Sequence, residues 1–98
     1  MKKTKAKSDL PSLVYAPSGQ EFWVNRGPVL RNLKDLANYL EVIDVQRYKF
    51  HTKNSSNDFA NWVKHILKDE KTAQAIAKAK TISATLAAVS KSLKKYKI

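Results

Sequence analysis

The chain has 98 residues, a formal net charge of +11 and no cysteine. Its length predicts one small domain with a single hydrophobic core and excludes two independent cores of ordinary size, and without cysteine no disulfide can stabilise the fold. Because no run of about 20 apolar residues occurs and no apolar stretch of signal-peptide length follows the charged start, we expect a cytoplasmic protein without a membrane segment.

Residues 1–12 are predicted to form a flexible basic arm. They contain few apolar side chains and no strand or helix pattern, so burial cannot offset the entropy lost on ordering. The four lysines of this arm are Lys2, Lys3, Lys5 and Lys7.

The next segment, LVYAPSGQEFWVNRGPVL, predicts a β-hairpin. It holds both glycines and many β-branched and aromatic residues. A turn fits either at residues 17–19 or at residues 25–27. We favour the second, which pairs residues 21–24 with residues 28–30, because Phe22, Trp23 and Val24 lead directly into it and because Asn and Gly tolerate positive φ.

Helical spacing replaces the strand pattern after Pro28. The first predicted helix follows the N-cap Asn32. Its apolar positions have i, i+3, i+4, i+7 spacing and are Leu33, Leu36, Ala37, Leu40 and Ile43. Residues 44–53 predict a short helix capped by Asp44, although their β-branched and aromatic content also fits a strand.

A third helix is predicted from an apolar stripe that consists of Phe59, Trp62, Val63, Ile66 and Leu67. We expect Ser56 or Asn57 to cap it, with Asp58 stabilising its first turn. Asp69 is expected to cap a further helix that begins near Glu70.

Residues 71–98 predict a basic amphipathic helix with an apolar seam of heptad spacing. The seam consists of Ala75, Ala79, Ile82, Leu86, Val89, Leu93 and Tyr96, and none of the seven lysines lies on it. The helix either continues throughout or breaks near Thr81, which would cap a second helix. The seam either packs on residues 13–70, which we favour, or forms a homodimer through Ile82, Leu86, Val89 and Leu93.

These elements together predict a mainly α protein with a short N-terminal β-hairpin, which is a small α+β fold with three to five helices. Its expected organisation is a basic arm (1–12), a small globular domain (13–70) and a long, Lys-rich C-terminal helix (71–98).

The excess positive charge is confined to the two ends of the chain. Residues 1–8 hold four lysines, residues 71–98 hold seven, and neither segment contains an acid. Between Asp9 and Glu70, eight basic residues balance eight acidic ones. Two blocks of one sign attract polyanions, and the less favoured alternative is a solvated cationic face with an unstructured tail that only raises solubility.

We therefore predict sequence-independent binding of nucleic acid, with DNA favoured over RNA, as in a nucleoid protein if the source is prokaryotic. Lysine suits phosphate contacts, whereas base reading favours arginine and amides, and the chain has sixteen lysines and three arginines. Trp23 is the candidate for base stacking. The predicted phosphate contacts are Lys2, Lys3, Lys5, Lys7, Lys78, Lys80, Lys91, Lys94, Lys95, Lys97, Arg26 and Arg31.

Two other functions fit less well. The heptad seam would suit a protein–protein adaptor or assembly module, whereas membrane binding is disfavoured because the apolar edge is rich in alanine and lacks Trp and Phe. Phosphate-loop, cysteine-nucleophile and metal-ligand patterns are missing. We thus expect no enzyme, catalytic residue, cofactor or metal, and interpret His51, near Asp58 and Trp62 in sequence, as a packed, hydrogen-bonded histidine.

A resemblance is carried by the runs FWVNRGPVLRNLKDLANYL and FHTKNSSNDFANWVKHILKDEKTAQAIAK. They resemble a family of small prokaryotic domains of unknown function from archaea and candidate-phylum bacteria, in which a histidine is followed by Asn-Asp-Phe-x-x-Trp. The resemblance covers residues 20–78 and implies a compact domain without an established activity. The matching positions are Phe22, Gly27, Leu33, Leu36, Leu40, His51, Asn57, Asp58, Phe59 and Trp62.

Overall fold

The computed structural model describes residues 10–53 and 56–97. Within these ranges it contains one antiparallel hairpin followed by five helices, which confirms the predicted mainly α fold with an N-terminal hairpin. In chain order the elements are β1 (Phe22–Trp23), β2 (Val29–Leu30), α1 (Leu33–Leu40), α2 (Val45–Thr52), α3 (Asp58–His65), α4 (Glu70–Lys78) and α5 (Ile82–Leu93).

The hairpin turns at residues 25–27, as predicted, with Phe22 opposite Leu30. The expected source of its positive φ is wrong, because Arg26 has a φ of 57° and Gly27 is not left-handed. Gly27 is needed for space instead. A Cβ there would lie 2.7 Å from Val24 Cγ1 and 3.2 Å from the Tyr39 hydroxyl.

Every helix in the described ranges begins at a side-chain cap. Each cap residue has an oxygen that accepts a hydrogen bond from the backbone N–H three residues later, which satisfies one of the unpaired donors of the first turn. The caps are Asn32, Asp44, Asn57, Asp69 and Thr81. The choice left open for α3 falls on Asn57, and the short helix predicted for residues 44–53 is confirmed.

Residues 71–98 do not form one long helix. The chain is extended at Ala79, with φ −78° and ψ 127°, and Thr81 caps α5. The Tyr48 hydroxyl lies 3.3 Å from the Thr81 carbonyl oxygen and 2.8 Å from Thr85 Oγ1, so the break is built into the contact between α2 and α5. The predicted long, Lys-rich last helix is therefore wrong, since α5 contains a single lysine, Lys91.

The core lies where the hairpin, α1, α3, α4 and α5 meet. α3 packs on α4, α1 on α5, and α4 on α5. The Phe22 ring stacks on Phe59 with 4.9 Å between centroids. Val89 and Leu93 of α5 join the same buried cluster, so the C-terminal seam packs on the rest of the chain rather than facing solvent.

Candidate nucleic-acid interface

The lysines predicted to bind nucleic acid are exposed wherever the structure describes them. Those within the described residues are Lys78, Lys80, Lys91, Lys94, Lys95 and Lys97, and all six lie in solvent. The remaining four, Lys2, Lys3, Lys5 and Lys7, lie outside the described residues. Arg26 and Arg31 are also exposed.

These lysines form no salt bridge within the described parts of the chain, although Lys95 lies near enough to Asp69 to lower the pKa of that carboxyl. Charged groups there make two close contacts, Arg47 with Asp44 at 2.7 Å and His51 with Asp58 at 3.1 Å, and neither includes a lysine. Exposed charges of this kind contribute little to folding. Their charge is therefore open to a partner.

The fold brings the start of the described chain next to the C-terminal end of the second basic segment. The Lys97 N–H donates to the Pro11 carbonyl oxygen at 2.8 Å, and Ser12 and Lys97 form a parallel β-bridge. We call Pro11, Ser12 and Lys97 the terminal junction. The segment with the first four lysines joins the described chain at Leu10, directly before this junction.

The described lysines divide into two groups at opposite ends of α5. Lys78 and Lys80 flank the link between α4 and α5, where Lys80 Nζ donates to the Ala77 carbonyl oxygen at 3.3 Å. The second group, called the terminal patch, consists of Lys91, Lys94, Lys95 and Lys97. The twelve residues of α5 correspond to about 18 Å of helix, so one short stretch of phosphates cannot contact both groups equally.

A hydrogen bond between Tyr96 and Asp69 anchors the terminal patch to the start of α4. The Tyr96 hydroxyl donates to Asp69 Oδ2 at 2.6 Å. Burial acts to raise the pKa of Asp69. Opposing effects together outweigh burial and hold that pKa below its usual value, namely hydrogen bonds from the Thr72 hydroxyl, Tyr96 and the Thr72 backbone, and the nearby charge of Lys95. Burial, assisted by the Asp69 carboxylate, raises the pKa of Tyr96.

A surface groove of about 650 Å³ lies beside the terminal junction. Lys97, Lys34 and Tyr15 line it, and Tyr15 is 62% exposed. Sequence reasoning missed Tyr15 and Lys34. In the sequence, Tyr15 is a tyrosine in an apolar stretch and Lys34 is a lysine in the first turn of a helix. Neither pattern distinguishes a binding site from an ordinary surface.

The outer face of the hairpin carries the predicted stacking residue. Trp23 is 71% exposed, whereas its neighbours Phe22 and Val24 are buried, which is the alternation predicted for a strand with one covered face. Trp23 pairs with Val29. Arg31 directly follows β2 and is exposed.

Arg26 lies at the other end of β2, at the hairpin tip, where α2 holds the backbone. The Arg47 side chain donates from Nε to the Asn25 carbonyl oxygen at 3.0 Å and from Nη2 to the Arg26 carbonyl oxygen at 3.2 Å. A pocket of about 390 Å³ separates this turn from Phe50. The structure therefore does not bring Arg26 together with Arg31 and the terminal patch.

His51 is a packed histidine, as interpreted from the sequence. The Asn25 backbone N–H donates to His51 Nε2 at 3.1 Å, so Nδ1 carries the proton and donates to Asp58 Oδ2 at 3.1 Å. The ring lies between Phe22 and Phe59, with centroids 5.1 and 5.3 Å away. Both ring nitrogens thus serve to join the hairpin tip to α3.

No protein-family model matches the chain, and it matches no curated protein and no solved structure. The resemblance to the prokaryotic domain family with the Asn-Asp-Phe-x-x-Trp element therefore stays a prediction. Across residues 10–53 and 56–97, no helix has both the length and the apolar character needed to cross a bilayer. In the same part of the chain, no three His, Asp or Glu side chains are grouped as metal ligands.

Proposed function

We propose that the protein binds nucleic acid without sequence specificity, through contacts of its terminal patch and N-terminal arm with phosphate groups. The observation that carries the proposal is the terminal junction, where Lys97 pairs with Pro11 and Ser12. Because the described chain begins at Leu10, beside the terminal patch, the lysines that precede Leu10 and those of the patch can act on the same stretch of phosphates.

Counterion release supplies the affinity in this proposal. A nucleic acid carries closely spaced phosphates with condensed cations, and each lysine that neutralises a phosphate releases about one of them. Lysine can do this without a fixed geometry, whereas specific base contacts use bidentate arginine or amide groups. With sixteen lysines and three arginines, the composition supports binding to backbones of any sequence.

The sequence favours duplex DNA over RNA, and a DNA-compacting role of the nucleoid type would follow if the source is prokaryotic. No reaction belongs to this proposal. The exposed lysines act as charges at the surface, and the neutral core of the domain holds them.

A binding titration at two or more salt concentrations tests the proposal. If five to eight lysines neutralise phosphates, log affinity should fall with log salt at a slope of about −4.5 to −7. A double change, Lys94→Gln with Lys97→Gln, should weaken binding to all sequences and reduce the slope by about 2.

The matched control removes the same charge elsewhere. Lys49 in α2 and Lys53, the C-cap residue of that helix, are exposed, and α2 contacts the opposite end of α5 through Tyr48. Changing both to Gln should leave the slope nearly intact. A flat salt response of the unchanged protein, or equal losses in the two double variants, would reject binding through the terminal patch.

The adaptor hypothesis stays the alternative. Its seam has two half-buried members, Ile82 and Leu86, and two members inside the core, Val89 and Leu93. A homodimer through all four would require α5 to leave α1 and α4, which would expose the apolar surface that stabilises the chain. The terminal junction therefore supports nucleic-acid binding more strongly than the seam supports assembly.

A further inference from the structure

Two exposed aromatic rings lie near the N-terminal part of the fold, Trp23 on the hairpin and Tyr15 in the segment between the terminal junction and the hairpin. Trp23 is 71% exposed and Tyr15 is 62% exposed. Aromatic side chains usually bury most of their area, so two rings this exposed are available to a partner. The partner must also suit the cations around them.

Backbone hydrogen bonds fix the position of the segment that contains Tyr15, residues 12–16, at both of its ends. The Ala16 N–H donates to the Arg31 carbonyl oxygen at 2.7 Å, and Ser12 pairs with Lys97 at the other end of the same segment. Four Cα–Cα steps separate Ser12 from Ala16, so the segment spans at most about 15 Å. Tyr15 stands within it, and Arg31 and Lys97 stand at its two ends.

The remaining members of this surface lie on either side of that segment. Trp23 lies on the outer hairpin face opposite Val29, which is two residues before Arg31, and Lys34 lines the groove with Tyr15 and Lys97. We call Trp23, Arg31, Tyr15, Lys34 and Lys97 the aromatic–cationic strip. One acid lines the groove, Asp35, and its Oδ2 accepts a hydrogen bond from the Arg31 N–H at 2.9 Å.

The hairpin holds Trp23 on a rigid support. Phe22, on its other face, is buried against Phe59 and Trp62. The Trp62 indole N–H donates to the Gln20 carbonyl oxygen at 2.9 Å, which fixes the chain just before β1. A ring presented by a fixed strand loses little conformational entropy when a flat ligand stacks on it.

We propose that the aromatic–cationic strip binds single-stranded nucleic acid, with unpaired bases stacked on Trp23 and Tyr15 and backbone phosphates at Arg31, Lys34 and Lys97. This inference rests on the proposed function and changes its preferred substrate, because the lysine segments alone favour duplex DNA, whereas the exposed rings favour unpaired bases. Rings along a cationic groove are the usual means of holding single strands without sequence preference. In duplex DNA the bases already stack on each other, so a duplex would contact the lysines through its phosphates but would not stack on Trp23 and Tyr15.

The test compares a labelled 20-nucleotide thymidine strand with a mixed-sequence duplex of equal length by fluorescence anisotropy at one salt concentration. The unchanged protein should bind the single strand more tightly. Trp23→Ala or Tyr15→Ala should each weaken single-strand binding by about 5- to 150-fold, the range for loss of one stacked base, and should leave duplex binding nearly unchanged. Trp23→Phe should restore part of the loss.

Val42→Ala is the control, because Val42 is 75% exposed and lies outside the strip. It should change neither affinity. Tryptophan emission gives a second measurement: quenching by the single strand should disappear in Trp23→Ala, since Trp62 is buried.

The outcomes separate this inference from the proposed function. Suppose that both substrates bind equally, that neither Trp23→Ala nor Tyr15→Ala changes their affinity, and that affinity falls steeply with salt. This result would overturn the stacking inference and leave phosphate binding in place. No binding to either substrate in dilute buffer would overturn both. Self-association that is lost in Trp23→Ala would mark the rings as a protein interface and would also overturn the inference.

Discussion

The hairpin tip and the terminal patch use their charged groups in opposite ways. At the tip, Arg47 binds the Asp44 carboxylate and two backbone carbonyl oxygens, and His51 binds Asp58 and the Asn25 N–H. At the terminal patch, the lysine side chains have no acidic contact among the described residues. Charge at the tip therefore serves the fold, and charge at the patch is open to a ligand.

This difference separates stability from binding. A change at the hairpin tip removes contacts that exist in the isolated molecule, so it should alter the free energy of unfolding. A change at the terminal patch removes charge that is solvated in the isolated molecule, so it should alter affinity for polyanions alone.

The largest expected effect on stability is that of His51→Ala. His51 is 6% exposed and packs between Phe22 and Phe59, and its loss would leave a cavity and the Asn25 N–H without its partner. We expect the free energy of unfolding to fall by about 2–4 kcal/mol. Thermal or urea denaturation measures this change.

Lys49→Ala is the control on the same helix, since Lys49 is exposed. It should change the free energy of unfolding by no more than about 0.5 kcal/mol. If His51→Ala lowered the free energy of unfolding no more than Lys49→Ala, the histidine would not stabilise the hairpin tip. Charged groups at the tip would then not serve the fold as proposed.

A smaller effect is expected from pH, at the anchor of the terminal patch. Because the pKa of Asp69 is lower in the folded protein than in the unfolded chain, the unfolded state takes up the proton first as pH falls. The stabilisation is thus complete above the unfolded value of about 4 and is lost as pH falls below it toward the folded pKa. The Tyr96–Asp69 hydrogen bond should weaken in that window.

Urea denaturation at pH 7 and pH 3 measures this effect in the unchanged protein and in Asp69→Asn. The variant should be less stable at pH 7, and its stability should fall less between the two pH values. An equal fall in both proteins would show that other carboxylates account for the acid sensitivity and that Asp69 does not titrate as the structure implies.

The local parts of the fold could be predicted from the sequence because their causes are local. Asn32, Asp44 and Asp69 bond N–H groups three residues away, so each helix start is visible as a cap before an apolar repeat. The exposure of Trp23 follows from strand alternation. The positive φ of Arg26 was missed because Asn25 and Gly27, on either side of it, are the residues that usually adopt it.

The rest depends on contacts between residues far apart in the chain. The heptad seam left open whether residues 71–98 form one helix or two, and the choice depends on Tyr48, more than 30 residues earlier, whose hydroxyl donates to the backbone at the break near Thr81. The terminal junction likewise joins Pro11 to Lys97 across nearly the whole chain. Charge counts revealed two basic segments, but only the packing of α5 on α1 and α4 brings the C-terminal end of the second segment next to Pro11 and Ser12.

The smallest expected effect on stability, that of Lys94→Gln with Lys97→Gln, tests the other half of the contrast. Neither side chain contacts an acid among the described residues, and the bond from Lys97 to Pro11 uses the backbone N–H, which the substitution keeps. The free energy of unfolding should therefore change by less than about 0.5 kcal/mol. Urea denaturation of the purified variant measures this, beside the salt titration that should show weaker binding. A loss of more than about 1 kcal/mol would mean that these lysines hold the chain ends in place, and weaker binding could then no longer be assigned to charge alone.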